Sequence, residues 1–394
     1  MFLAGFSQIG LGPFKPSQIF TLCLLVFLFY NNGVKYSLIF LILVFFSLYG
    51  FILGGFQKLD QMIVNVVLFF SIFTFKDRIV KLNQERIISY LKYFNLGLFL
   101  SHSIAFLFLI LPSMRELVVD TSSIGIRFKG FFNQANGYAF ICLISTPISM
   151  FFLKRERNFL NLFIVVINLL ALVFTQSRGA IFSLTLGFVV VYLSGIMIQG
   201  KIFKIIKPIF FSIGLIFIFF VTVPEFLSEK LGINLARLNP TEKRDHERNF
   251  GDISIESLQG DRYYLISAGL FTLGKYPFGL GYQDHHTVIG NLTGVYLIPH
   301  NYYLTVFLTY GFFFGFIWNM LFLGIIFWGY ILFFRNRVSS SSPFYYLLLM
   351  MISVSFYYFT HSSDWSYFYI MLSFFAAYLA NRNLFIKDEY FNNR

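Results

Sequence analysis

Long apolar runs separated by short polar junctions set the pattern of this chain. A membrane span needs about 20 largely apolar residues. Runs of that kind fall at about 17–32, 35–56, 60–75, 90–111, 131–153, 159–175, 179–198, 205–223, 302–333, 344–360 and 365–380. Several are short or fused, so the pattern predicts an all-α integral membrane protein with about 11 spans, within a range of about 10 to 13. The longest stretch without a span, residues 224–301, is a large loop. Loops beyond about 15 residues tend to be functional or disordered. The chain thus divides into an N-terminal bundle (1–223), the loop (224–301), and C-terminal helices with a short tail (302–394). Nothing at the start reads as a cleavable leader, because MFLAGFSQIGLGPFKPSQ has no basic region ahead of an apolar core and no small-residue cleavage pattern.

Composition agrees with this class. Hydrophobic residues make up 57% and charged ones 12%, against about 45–50% and about 25% in soluble proteins. A net charge of +12 would elsewhere suggest nucleic acid. Here the cations cluster between apolar runs, where they set topology instead. The clusters are Lys76, Arg78, Lys81 and Arg86; Lys154, Arg155 and Arg157; Lys201, Lys204 and Lys207; Arg335 and Arg337; Arg382 and Lys387. They occupy every second loop, which the positive-inside rule assigns to the cytoplasm. Residues 112–130, 175–179, 224–301 and 360–364 are then outside, while the side of the N-terminus stays open. Cys23 and Cys142 both lie in apolar runs and offer neither a disulfide framework nor a zinc site. No repeat of about 20–50 residues is present.

Four outer stretches could carry chemistry. In TQSRGA, Arg178 stands between two apolar runs at the start of a helix, whose free N–H groups favour an anion; the alternative is an arginine snorkelling to headgroups. In GDRYYLISAGL, residues 260–270, Arg262 precedes an apolar-aromatic helical stretch that runs into the turn KYPFGLG. In PHNYYLTVFL, His300 and Asn301 sit at the mouth of an apolar run, and an imidazole there can hold a proton near neutral pH. In RFKGFFNQANGYAF, residues 127–140, Arg127, Asn133 and Asn136 offer donors at the membrane boundary. Asp284, His285 and His286 do not make a metal site, since adjacent side chains rarely point at one ion and no thiolate joins them. No cofactor is expected.

Taken in order, NQANG ahead of a mid-chain span, SRG at the head of another, an arginine followed by PxGxG in the large loop, and HN at the next helix resemble the O-antigen ligase and O-antigen polymerase superfamily of bacterial membrane glycosyltransferases. The resemblance covers about residues 127–315. It implies a GT-C-like helical fold in the bacterial inner membrane, with its active site facing the periplasm. The implied substrate is an undecaprenyl-pyrophosphate-linked glycan, used without a nucleotide sugar. A chain-length regulator and other polysaccharide assembly proteins are the implied partners, along with the bilayer and without nucleic acid. Arg178 and Arg262 correspond to arginines associated with the lipid pyrophosphate, and His300 to a catalytic histidine.

Cleaving a sugar–pyrophosphate bond leaves negative charge on two phosphates, which a metal or fixed cations must stabilise. The first outer loop carries Glu116 and Asp120 but no Asp-x-Asp or Glu-x-Asp pair. Arginine, with its planar fork of donors, is the substitute. The mechanism expected is a metal-independent clamp of Arg178 and Arg262 on the pyrophosphate, with His300 orienting or deprotonating an acceptor hydroxyl. Arg127, Asn133, Asn136 and Asn301 would hold sugars or acceptor, and Tyr282, Tyr302 and Tyr303 could stack on sugars or serve as interfacial aromatics. The charge-dense residues 241–256 favour a polymerase, whose acceptor varies from glycan to glycan. A ligase acting on lipid A-core is the alternative, and a flippase or transporter of lipid-linked oligosaccharides the rival from another class.

Overall fold

The computed structural model describes residues 38–56, 79–120, 127–132, 134–198, 258–294, 299–361 and 366–381, together with isolated positions between 62 and 76. The expected spans at 17–32 and 205–223, the charged stretch 241–256 and Asn133 lie outside the described residues. The described chain is helical except for one short ladder. Its elements are α1 (Leu38–Leu53), α2 (Gln84–Ile110), α3 (Arg115–Val118), β1 (Val119–Asp120), β2 (Arg127–Phe128), α4 (Ala135–Glu156), α5 (Phe159–Phe174), α6 (Arg178–Ile198), α7 (Leu258–Lys275), α8 (His285–Thr293), α9 (Tyr302–Arg335), α10 (Pro343–Tyr358) and α11 (Ser366–Ala380).

Four of these, α2, α4, α6 and α9, are long and apolar enough to cross a bilayer. Large apolar side chains such as Leu107, Phe182, Phe313 and Phe327 remain exposed along them, as a lipid-facing surface requires. Helix ends are written locally. Asn158 accepts a hydrogen bond from the Asn161 amide at 2.8 Å and starts α5, directly after Arg157 takes a left-handed φ of 43° to close α4. Ser342 caps α10, and Pro343 occupies the first helical position, where no amide is needed.

α10 is the central helix, packed against α4 and α6. A chain of amides and hydroxyls ties α2, α4 and α5 inside the bundle, with Ser149 donating to Asn95 at 2.6 Å and Asn168 donating to Ser149. Such bonds satisfy polar groups that lipid could not.

The apolar run at 302–333 is one continuous span by sequence. The structure breaks it at Gly311 (φ 76°, ψ 177°) into two helical pieces. The loop after α7 fills the break: the Leu280 and Gly281 amides donate to the carbonyls of Leu308 and Thr309 at 2.7 and 2.9 Å, and the Phe312 amide donates to Pro277 at 2.8 Å. Backbone groups freed by the kink are therefore paired within the protein. The PxGxG pattern has a steric reason here, since a Cβ on Gly279 would collide with the Gly311 and Thr309 backbone, and one on Gly281 with the end of α1.

Candidate functional site

One end of the bundle gathers the start of α4, the α5–α6 turn, the start of α9 and the end of α10. The turn comes first. Gln176 adopts a positive φ of 53°, and Thr175 accepts a hydrogen bond from the Ser177 amide at 3.2 Å. The Ser177 carbonyl receives the amides of Ala180 and Ile181, so α6 begins at Arg178 as the sequence pattern predicts. Ser177 is buried, and its hydroxyl meets no partner among the described residues. Arg178 is half-buried on the first turn.

Arg127 fixes this turn from the side. Its Nε donates to the Thr175 carbonyl at 2.9 Å and its Nη2 to Asn136 Oδ1 at 2.7 Å, while Asp120 stands opposite it in the ladder. The side chain is buried. Arg127 and Asn136 thus form a tie between the loop, the first turn of α4 and the turn that carries Arg178. Tyr357, at the end of α10, extends the tie by donating to the Asn136 carbonyl at 2.8 Å.

His300 is exposed, directly after the buried Pro299. Asn301 caps α9 by accepting from the Leu304 amide at 3.0 Å and reaches the Phe359 carbonyl at 3.3 Å with its own amide. The cap pins the approach to α9 onto the end of α10. This brings His300 to His361, with ring centroids 6.2 Å apart. Helix α7, which carries Arg262 in its first turns, crosses the same region, because a Cβ on its Gly269 would lie 2.8 Å from Pro299. Seven residues of helix separate Gly269 from Arg262, an axial rise of about 10 Å. The Arg262 side chain is outside the described residues.

The three tyrosines lie deeper. Tyr302 stacks on Tyr358 at 4.2 Å and receives the Trp318 indole N–H at 3.2 Å. Tyr303 donates to the Ser355 carbonyl at 3.0 Å. Tyr282 stands beside the Gly311 break, bonded to Asn65 at 2.9 Å and within 3.2 Å of the Tyr310 hydroxyl. All three are buried, with their rings packed on protein. Among the described residues no group of three or more histidines, cysteines or acids could hold a metal.

His361 was not among the residues singled out by sequence. It is buried, stacks on Tyr357 at 4.3 Å, and lies against the first turn of α6. A usable signal was present, since 360–364 falls on the same outer side as the SRG turn.

Electrostatically, this end brings together the cations Arg127, with Asp120 opposite it, and Arg178, an N-terminal helix dipole and two imidazoles. The basic residues Lys154, Arg155 and Arg335 close the far ends of α4 and α9. A site of that charge suits an anion next to a group that can exchange a proton.

Residues 163–320 match the family model Wzy_C, described as O-Antigen ligase. This supports the O-antigen polymerase and ligase superfamily, whose members are glycosyltransferase-like enzymes. The matched segment contains the SRG turn, α7, His300 and Asn301, whereas Arg127, Asn136, Tyr357 and His361 stand outside it. No curated protein and no solved structure matches the chain.

Proposed function

We propose that this multi-pass membrane protein, whose residues 163–320 carry the O-antigen ligase family domain, transfers a glycan from undecaprenyl pyrophosphate to a sugar hydroxyl of a second lipid-linked repeat unit, as an O-antigen polymerase on the periplasmic face of the inner membrane. The observation that carries the reading is the convergence of Arg178, at the positive end of α6, with His300 at one end of the bundle, inside the family segment.

The half-buried Arg178 and the α6 N-terminus supply fixed positive charge for a diphosphate. Arg127 acts behind it, holding the Thr175 carbonyl and hence the turn. Arg262, on α7, would supply the second positive charge. His300 is exposed, where an acceptor hydroxyl can approach it. In the step proposed, that hydroxyl loses its proton to His300 and attacks the anomeric carbon. The bond to the pyrophosphate oxygen breaks, and its electron pair leaves with the diphosphate. A direct displacement inverts the carbon. The arginines do the charge stabilisation that a metal does in other lipid-linked transferases.

Electrophoresis of lipopolysaccharide from a deletion strain complemented with wild type, Arg178→Ala or Arg262→Ala tests the reading. Both variants are expected to insert and accumulate yet leave core capped by a single repeat unit, and Arg→Lys is expected to restore little polymer, because a point charge lacks the fork. Bare core with long polymer retained on undecaprenyl pyrophosphate would identify a ligase instead. Normal polymer from both alanine variants would overturn the clamp.

A further inference from the structure

The end of the bundle opposite the SRG turn carries a feature that glycan transfer does not use. A cleft of about 370 Å³ opens between α4, α5 and α10, lined by Met150, Leu153, Lys154, Arg157, Val165 and Tyr346. That volume falls within the range of about 300–1,000 Å³ usual for small-molecule sites. All of these residues except Val165 lie outside the family segment.

The cleft has two chemically distinct ends. Lys154 and Arg157 are three residues apart at the end of α4 and share a face. Arg157 takes the left-handed φ of 43° that closes the helix, with its amide donating to the Leu153 carbonyl at 3.0 Å. Both cations are exposed, whereas Val165 is buried. Met150 lies seven residues before Arg157, an axial distance of about 10 Å, and Val165 lies at a similar depth along α5, about 9 Å from its start. The cations therefore stand at the outer end and the apolar side chains at the inner one.

Tyr346, from the first turn of α10, completes the lining. It is only 7% exposed, and its ring is held by Phe151 and Tyr345, with centroids 5.8 and 5.1 Å away. Its hydroxyl has no hydrogen-bond partner among the described residues. A hydroxyl so placed is costly to leave unsatisfied. The two cations are in a similar position, since among the described residues neither is in an ion pair. Glu156, the acid of the same turn, is committed to Lys92 at 3.1 Å and to the side-chain amides of Asn158 and Asn161 at 3.3 and 3.2 Å. Arg155 adds a third cation to the turn without lining the cleft.

Phe159, Leu160, Leu162 and Phe163 are exposed at the start of α5, as lipid-facing side chains are. The hydrocarbon boundary then falls near the turn that carries Arg157, and the cations stand at headgroup level. A free phosphate would leave the apolar end of the cleft unfilled, while a lipid fills both ends. A zwitterionic headgroup would bring its ammonium to two cations with no carboxylate in the lining to receive it.

We infer that this cleft binds an anionic glycerophospholipid from the leaflet at the basic end of the bundle. Its phosphodiester lies between Lys154 and Arg157 and accepts the Tyr346 hydroxyl, and the start of its acyl chains runs along Leu153, Met150 and Val165. Charge-assisted hydrogen bonds hold the phosphate, as in other basic pockets between membrane helices. The inference is independent of the glycan chemistry at the other end.

Native mass spectrometry of the full-length protein, released from phosphatidylcholine nanodiscs doped with phosphatidylglycerol, counts the lipids it retains. Wild type is expected to retain phosphatidylglycerol in preference to phosphatidylcholine. Lys154→Gln combined with Arg157→Asn, where asparagine tolerates the left-handed φ, is expected to lower that preference about 10- to 50-fold. Tyr346→Phe keeps the ring and its packing, so it guards against misfolding, and is expected to lower the preference about 3- to 10-fold. Arg155→Gln removes a charge from the same turn but not from the cleft, and is expected to keep the preference. An unchanged preference in the double variant or in Tyr346→Phe would overturn the assignment. So would an equal loss in Arg155→Gln, which would show diffuse surface charge, or displacement of the lipid by glycerol phosphate, which would mark a site for soluble anions.

Discussion

His300 is exposed and His361 buried, although their rings are neighbours. Exposure suits a residue that must meet an incoming hydroxyl. General-base assistance is typically worth about 10²- to 10⁴-fold, so His300→Ala is expected to lower turnover by that order while donor affinity is kept. Single-turnover kinetics with a saturating acceptor checks this, and an equal loss of donor binding would move His300 to substrate positioning. The sequence singles out Arg178 and His300 because each stands in a short polar junction at the edge of an apolar run. His361 stands at such an edge too, at the end of the run 344–360. Its meaning depends on Gly179 and Tyr357, which the fold supplies from distant places in the chain. Asn301 and Arg127, expected at the substrate, serve the fold as a helix cap and as a hold on the turn.

At the level of elements, sequence shows where helices start more readily than where they bend. Asn158, Asn301 and Ser342–Pro343 mark their helices through groups within four residues of each cap. Gly311 lies within an unbroken apolar run, and hydropathy carries no information about which backbone groups a remote loop will satisfy. The break exists because the Pro277–Gly281 segment delivers matching donors and acceptors to it. That dependence makes Gly281 sensitive. A side chain there meets a φ of 65° and the backbone of Gly50, Leu53 and Gly54, so Gly281→Ala is expected to cost about 2–4 kcal/mol from left-handed strain and overpacking together. Gly274→Ala, in open space on α7, provides the control and is expected to be neutral or to stabilise by less than about 1 kcal/mol. Thermal unfolding of both variants in one detergent compares them. Equal midpoints would show that the loop does not brace the break.

Across the molecule, the described helices sort their polar ends in a way that bears on orientation. Arg127, the SRG turn, His300 and His361 share one end. Lys154 and Arg155 close the opposite end of α4, and Arg335 that of α9. Nearby, Lys92 pairs with Glu156 at 3.1 Å on the surface. The alternation of basic clusters predicted this separation because topology is set by loop charge, which is local and additive along a chain. The number of spans was less readable, since short and fused apolar runs leave the boundaries open. If the basic end is cytoplasmic, the donor meets the arginines outside, where an undecaprenyl-linked glycan would be used. With Cys23 and Cys142 replaced by serine, single cysteines at Ser257, immediately ahead of α7, and at Ser340, in the turn between α9 and α10, report the two sides to an impermeant thiol reagent on intact spheroplasts. Labelling is expected at 257 and not at 340 until the membrane is permeabilised. The opposite pattern would place Arg178 and His300 in the cytoplasm, beyond reach of a periplasmic donor, and would overturn the transferase reading at its topology while leaving the geometry of the site as it stands.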